Sequence, residues 1–147
     1  MKTTILTSVF AVLVSVANLS ARNVTTYSNV EVNSAGTNKE YVSIDNETSK
    51  PVTKELYDYG IDGKLEVKKI SKWDDSKGWV NSSKYEYQYN EVGKVSNVTY
   101  TKWNEKTNSW SDKSEFLVHI YNENDEILSI KQIQIENNID NTLLTQK

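Results

Sequence analysis

Tyr57-Asp58-Tyr59-Gly60-Ile61-Asp62-Gly63-Lys64-Leu65 returns as Tyr87-Gln88-Tyr89-Asn90-Glu91-Val92-Gly93-Lys94-Val95, an offset of 30 from Tyr57 to Tyr87. A weaker third copy, His119-Ile120-Tyr121-Asn122-Glu123-Asn124-Asp125-Glu126-Ile127, follows at an offset of 32 from Tyr87 to His119. The second half of the unit repeats as well. Lys72-Trp73-Asp74-Asp75-Ser76-Lys77-Gly78-Trp79 matches Lys102-Trp103-Asn104-Glu105-Lys106-Thr107-Asn108-Ser109-Trp110, with one extra loop residue. The chain therefore holds two full units and the first half of a third, and a period of this length marks a repeated supersecondary structure.

Each unit reads as a β-hairpin. Tyr-x-Tyr alternates aromatic and polar residues, the period-two pattern of a strand. Tyr85, Tyr87 and Tyr89 would share one face, with Lys84, Glu86 and Gln88 on the other. Gly60 to Gly63 and Asn90 to Gly93 predict tight turns, because glycine and asparagine tolerate positive φ. The hairpins also predict cross-strand pairs of Trp73 with Trp79 and of Trp103 with Trp110. Predicted strands cover 54–59, 64–73, 79–89, 94–103, 110–121 and 126–135, and two more cover 24–32 and 39–45. Short connections between them predict an antiparallel meander. Residues 46–53, with the only proline, Pro51, are expected to form a loop.

The apolar residues do not keep to one parity. Leu65 and Val67 agree, but Ile70 does not, which predicts a bulge or two partly covered faces. Phe116, Val118 and Ile120 alternate with Leu117 and Tyr121, so this strand is expected to be buried on both sides. The fold class expected is all-β: an antiparallel meander of tandem β-hairpins in one twisted or rolled sheet. No window outside the N-terminus has a helical period.

At the N-terminus, Met1-Lys2 is followed by an apolar run over 5–16 and by Asn18-Leu19-Ser20-Ala21. This is the layout of a cleaved secretory signal peptide over 1–21, with the cut after Ala21 or, as the alternative, Ala17. The run is too short to span a bilayer, and no later segment is apolar enough to do so. The remaining organisation is then 22–53 for N-terminal strands and a loop, 54–136 for the repeat domain and 137–147 for a polar tail. The expected location is periplasmic, surface-associated or secreted.

Composition limits the chemistry. The 147 residues carry a net charge of −3, and loss of Lys2 with the signal leaves −4, against the basic face that nucleic-acid binding requires. There is no cysteine, which removes disulfides, thiol catalysis and cysteine zinc sites. The single histidine, His119, stands where Tyr57 and Tyr87 stand, so it reads as a packing position. Asp74, Asp75 and Glu105 in the Trp loops, with Asp58 and Asp62, could in principle supply the carboxylate pair of a glycosidase. The repeat speaks against it: Asp58 becomes Gln88 and Ile120, and Asp62 becomes Val92. The acidic run 123–126 lacks the spaced ligands of a calcium loop, and no cofactor motif is present.

The four Trp and nine Tyr are the most suggestive feature. On an exported sheet they either stack on sugar rings or hold a disulfide-free sheet together. The pattern Tyr-x-Tyr-(Gly/Asn)-x-x-Gly-Lys-(Leu/Val), with Trp loops between copies, resembles a family of small exported proteins of unknown function from Bacteroides-type gut bacteria. The resemblance is best over 54–127. More distantly it is similar to the Tyr-Asp repeats of large bacterial surface and toxin-shell proteins, which carry Asp where this chain has Gly60, Asn90 and Asn122. The first resemblance implies export and a β-repeat fold, and brings no catalytic residue with it. The expectation is a non-catalytic binding or structural module of the envelope with a protein or glycan partner. Trp73, Trp79, Trp103 and Trp110 are its candidate glycan-stacking residues, and a homodimer through a sheet face or edge is a further expectation. A small carbohydrate hydrolase and a periplasmic inhibitor are the competing readings.

Overall fold

The structure, a computed structural model, describes residues 9–13 and 23–136. It is all-β, with no helix among the described residues. The strands are β1 (Val9–Leu13), β2 (Val24–Asn33), β3 (Gly36–Asp45), β4 (Pro51–Tyr59), β5 (Leu65–Asp74), β6 (Gly78–Tyr89), β7 (Val95–Asn104), β8 (Ser109–Tyr121) and β9 (Ile127–Glu136). They form one meander in the order β1 to β9. The predicted strands are all present. β1 lies inside the segment read as an export signal, whereas both candidate cleavage positions and the tail 137–147 fall outside the described residues.

Contacts divide the chain into two compact units, with the boundary between Ser83 and Lys84 inside β6. In unit 1, β1 pairs with β2 from Val9↔Val30 to Leu13↔Thr26, and β2, β3, β4 and β5 pair in succession. In unit 2, β7 pairs with β8 and β8 with β9.

The turns show the repeat in their hydrogen bonds. Gly60 N–H donates to Lys64 O (2.9 Å) and Gly63 N–H to Gly60 O (2.9 Å). Asn90/Lys94/Gly93 and Asn122/Glu126/Asp125 close with the same two bonds. The left-handed position is Gly63, Gly93 and Asp125 in turn, at φ 76, 82 and 60°. The turns between β5 and β6 and between β7 and β8 use another device. Asp74 Oδ1 accepts the Ser76 and Lys77 N–H groups, Asn104 Oδ1 accepts that of Lys106, and left-handed Gly78 and Asn108 follow. The β3–β4 turn is built the same way: Asp45 Oδ1 accepts the Glu47 and Thr48 N–H groups, and Ser49 is left-handed. This corrects the loop expected over 46–53. Pro51 opens β4, a position where a missing N–H is tolerated.

Bulges account for the broken parity. Tyr59 pairs with Leu65 and Asp58 with Val67, so Glu66 is the extra residue. Leu65 and Ile70 thereby come to one face, with Tyr59 and Glu55. β9 has the same offset, with Leu128 extra between Ile127↔Tyr121 and Ser129↔Ile120.

The sheet has almost no apolar core. Among the described residues Val98 is the one buried hydrophobic side chain, and the other buried side chains are Ser28, Ser71, Ser83, Thr101 and Ser114. The stretch 116–121 is half-buried on both sides rather than buried, which corrects the expectation for this strand. Aromatic side chains and lysine stems provide the cover instead.

Candidate functional site

Both Trp pairs form as predicted. Trp73 and Trp79 meet edge to face at 5.2 Å and 78°, and Trp103 and Trp110 at 5.0 Å and 84°. Such pairs are worth about 0.5–1.5 kcal/mol beyond the area they bury. Lysines complete them: Lys54 Nζ lies 5.0 Å over the Trp79 ring and Lys84 Nζ 5.4 Å over that of Trp110. Lys54 and Lys84 are themselves 30 residues apart, a repeat signal that the reading of the aromatic positions passes over.

Trp73 is the most accessible of the four, at 37% exposure. Its six-membered ring packs over Gly78, and its indole N–H donates to Asp75 Oδ1 at 3.2 Å. Asp75 Oδ2 in turn holds Lys50 Nζ at 2.6 Å, tying the β5–β6 turn to the β3–β4 turn. Between these turns lies an open cleft of about 830 Å³, lined by Trp73, Asp45, Glu47, Lys50, Asp74 and Asp75 among others. The Lys50 ammonium holds the Asp75 carboxyl below the usual carboxylate range. The Ser76 hydroxyl, followed by the Ser76 and Lys77 N–H groups, does the same for Asp74. These acids are therefore anionic hydrogen-bond acceptors at neutral pH.

The remaining predicted candidates sit elsewhere. Trp103 and Trp110 are half-buried on unit 2, whose hollow of about 210 Å³ is lined by Tyr100, Lys102, Glu115 and Gln134 rather than by either Trp. Glu105 occupies the β7–β8 turn, a different hairpin tip from that of Asp74. His119 Nδ1 lies 3.2 Å from Leu117 O. Asp62 is bound to Lys64 within its own turn, and Asp58 lies 4.0 Å from Lys69. Among the described residues no group of three His, Cys, Asp or Glu is placed to hold a metal ion. No helix there is long and apolar enough to cross a membrane.

Fold and cleft together define a class: an all-β hairpin meander with an aromatic, carboxylate-lined surface cleft. The profile of a family of unknown function, DUF3836, matches residues 1–128, and the chain belongs to that family. Among solved structures it is similar to a crystal structure of a DUF3836 family protein from Parabacteroides distasonis. That match has 14% identity over 90% of this chain and 92% of that one, at a TM-score of 0.40. No curated protein matches. The resemblance read from the repeat pointed to a family without assigned activity, and the family found is one.

Proposed function

We propose that this DUF3836 protein is an exported, non-catalytic binding module that holds a saccharide ring in the cleft beside Trp73. The observation that carries the reading is the exposed indole of Trp73, fixed through its N–H by Asp75 at the wall of a polar cleft. An aromatic platform flanked by hydrogen-bond acceptors suits a pyranose, which offers an apolar C–H face and a rim of hydroxyls. The other three Trp are proposed as structural. Trp79 and Trp110 already carry an ammonium over the ring, and Trp103 is the half-buried partner of Trp110.

The same geometry favours binding over hydrolysis. A general acid needs a raised pKa, and Asp74 is shifted the opposite way by its turn hydrogen bonds. The test is a glycan array on the exported protein, followed by titration of Trp fluorescence with any hit. Trp73→Ala should abolish binding, and Trp110→Ala should leave it while lowering stability. Failure of acrylamide to quench any Trp, or unchanged binding in Trp73→Ala, would refute the proposal.

A further inference from the structure

We infer that export opens the outer edge of β2 and that β9 of a second copy takes the vacated place, joining chains head to tail. In the structure β1 covers β2 over Thr26 to Val30. It is the strand Val-Phe-Ala-Val-Leu, and it lies wholly within the segment proposed as the cleaved signal. The inference rests on that export reading in this one respect. Once 9–13 are removed, β2 presents a row of unpaired N–H and C=O groups, the template on which another strand adds.

β9 is suited to the vacancy. It is the last strand in the order, and all ten of its residues are exposed, among them Ile127, Leu128, Ile130, Ile133 and Ile135. Most edge strands are guarded by prolines or several charges. β9 has no proline, and its charges are Lys131 and Glu136. β2 likewise exposes Tyr27 and Val32, and its one charge is Glu31.

Antiparallel pairing of the two strands has a register that matches all three features together. Placing Glu31 opposite Lys131 sets Tyr27 opposite Ile135 and Val32 opposite Ile130, because each pair of numbers sums to the same value. Ser28 then meets Gln134, and Asn33 meets Ser129. Opposite charges and exposed apolar residues thus face one another across the join. The contact is heterologous, using a different edge from each copy, so it propagates rather than closing on itself as a two-fold dimer does.

The test uses the protein recovered after export, with its N-terminus read by intact mass. Sedimentation should show concentration-dependent association. Glu31→Lys or Lys131→Glu alone should weaken it by about tenfold or more, and the two changes together in one chain should restore it. The chain has no cysteine, so mixing Glu31→Cys with Lys131→Cys chains reports the register directly. A disulfide should form in the mixture and in neither sample alone. A monomer at every concentration would overturn the inference, as would disulfides within a single-variant sample. An exported chain that retains Met1 would overturn it through the export reading, leaving the Trp73 cleft to stand or fall by its own assay.

Discussion

Tyr57→Phe is the substitution that isolates one polar contact on the sheet. The Tyr57 hydroxyl donates to Glu55 Oε2 at 2.5 Å, and Lys68 Nζ reaches the same oxygen at 3.0 Å. The ring itself meets Tyr41 edge to face at 5.5 Å and lies 4.9 Å beneath Lys68 Nζ. Phe keeps the ring contacts and removes only the hydroxyl. A hydrogen bond to a charged group contributes about 1.5–3 kcal/mol when well shielded. The side chains here are 35% and 23% exposed, so solvent screening reduces this to roughly 1 kcal/mol. For a chain of this size that is a fall in Tm of roughly 3–6 °C at pH 7, read by circular dichroism or calorimetry.

The pH dependence gives a second readout. Burial pushes Glu55 up, but the Tyr57 hydroxyl and the Lys68 ammonium outweigh it, and its pKa ends below the ordinary 4.5. A depressed carboxylate contributes stability that is present above its unfolded value and is lost as pH falls through the folded one. The gap between wild type and Tyr57→Phe should therefore be full at pH 6–7 and shrink below about pH 4.5. Burial and the Glu55 carboxylate raise the Tyr57 hydroxyl above 10.0, so the wild type also loses its advantage as pH climbs past that value. A Tm unchanged at pH 7, or a gap that persists undiminished at pH 3, would refute the reasoning.

Other substitutions test the turns and the Trp pairs. A double-mutant cycle on Trp103→Ala and Trp110→Ala should give a coupling of about 1 kcal/mol in denaturant unfolding, because the rings meet edge to face at 5.0 Å. Gly36→Ala should cost about 2 kcal/mol or more, since φ is 146° and a Cβ would run into the Tyr59 carbonyl. Gly63→Ala should cost about 1 kcal/mol, its φ being 76° but the space around it open. Asp125→Gly should raise stability by about 0.5 kcal/mol, because it restores glycine at the left-handed position that Gly63 and Gly93 hold in the sister turns. Salt should weaken the exposed Lys50–Asp75 bridge, and Lys50→Ala should leave the Tm almost unchanged at high ionic strength.

The turn chemistry was legible because glycine and asparagine have conformational reasons to stand where they stand. The repeat of Gly60-x-x-Gly63 in Asn90-x-x-Gly93 located two hairpins to within a residue. The third copy was faint because Asp125 replaces the glycine, yet it closes with the same two backbone bonds. The kinship of the β3–β4 turn was hidden for a different reason. No Trp flanks it, and its likeness to the Trp loops lies in Asp45 Oδ1 and the φ of Ser49. At the candidate site the four Trp could be named together but not ranked. What sets Trp79 and Trp110 apart is a lysine lying on another strand, 25 residues before Trp79 in the case of Lys54, and what sets Trp103 apart from Trp73 is its burial.

The buried hydroxyls and the lysines belong to one arrangement. Lys54 on β4 pairs directly with Ser71 on β5, while its ammonium lies over Trp79 on β6. Its alkyl stem must therefore pass across Ser71, which is why so small and polar a side chain is only 6% exposed. A larger residue at 71 would lift the stem off the ring. The hydroxyl lies near Asn81 Oδ1 at 3.4 Å, so its burial leaves it a polar neighbour. Thr101 holds the matching repeat position and bonds Ser114 at 2.8 Å, beside the Trp103–Trp110 pair that Lys84 covers. A sheet that lacks an apolar layer thus covers itself with lysine stems laid over small hydroxyl residues onto indole faces. Trp79 and Trp110 are committed to that cover and Trp103 is half-buried, so a ligand that needs an exposed ring is left with Trp73.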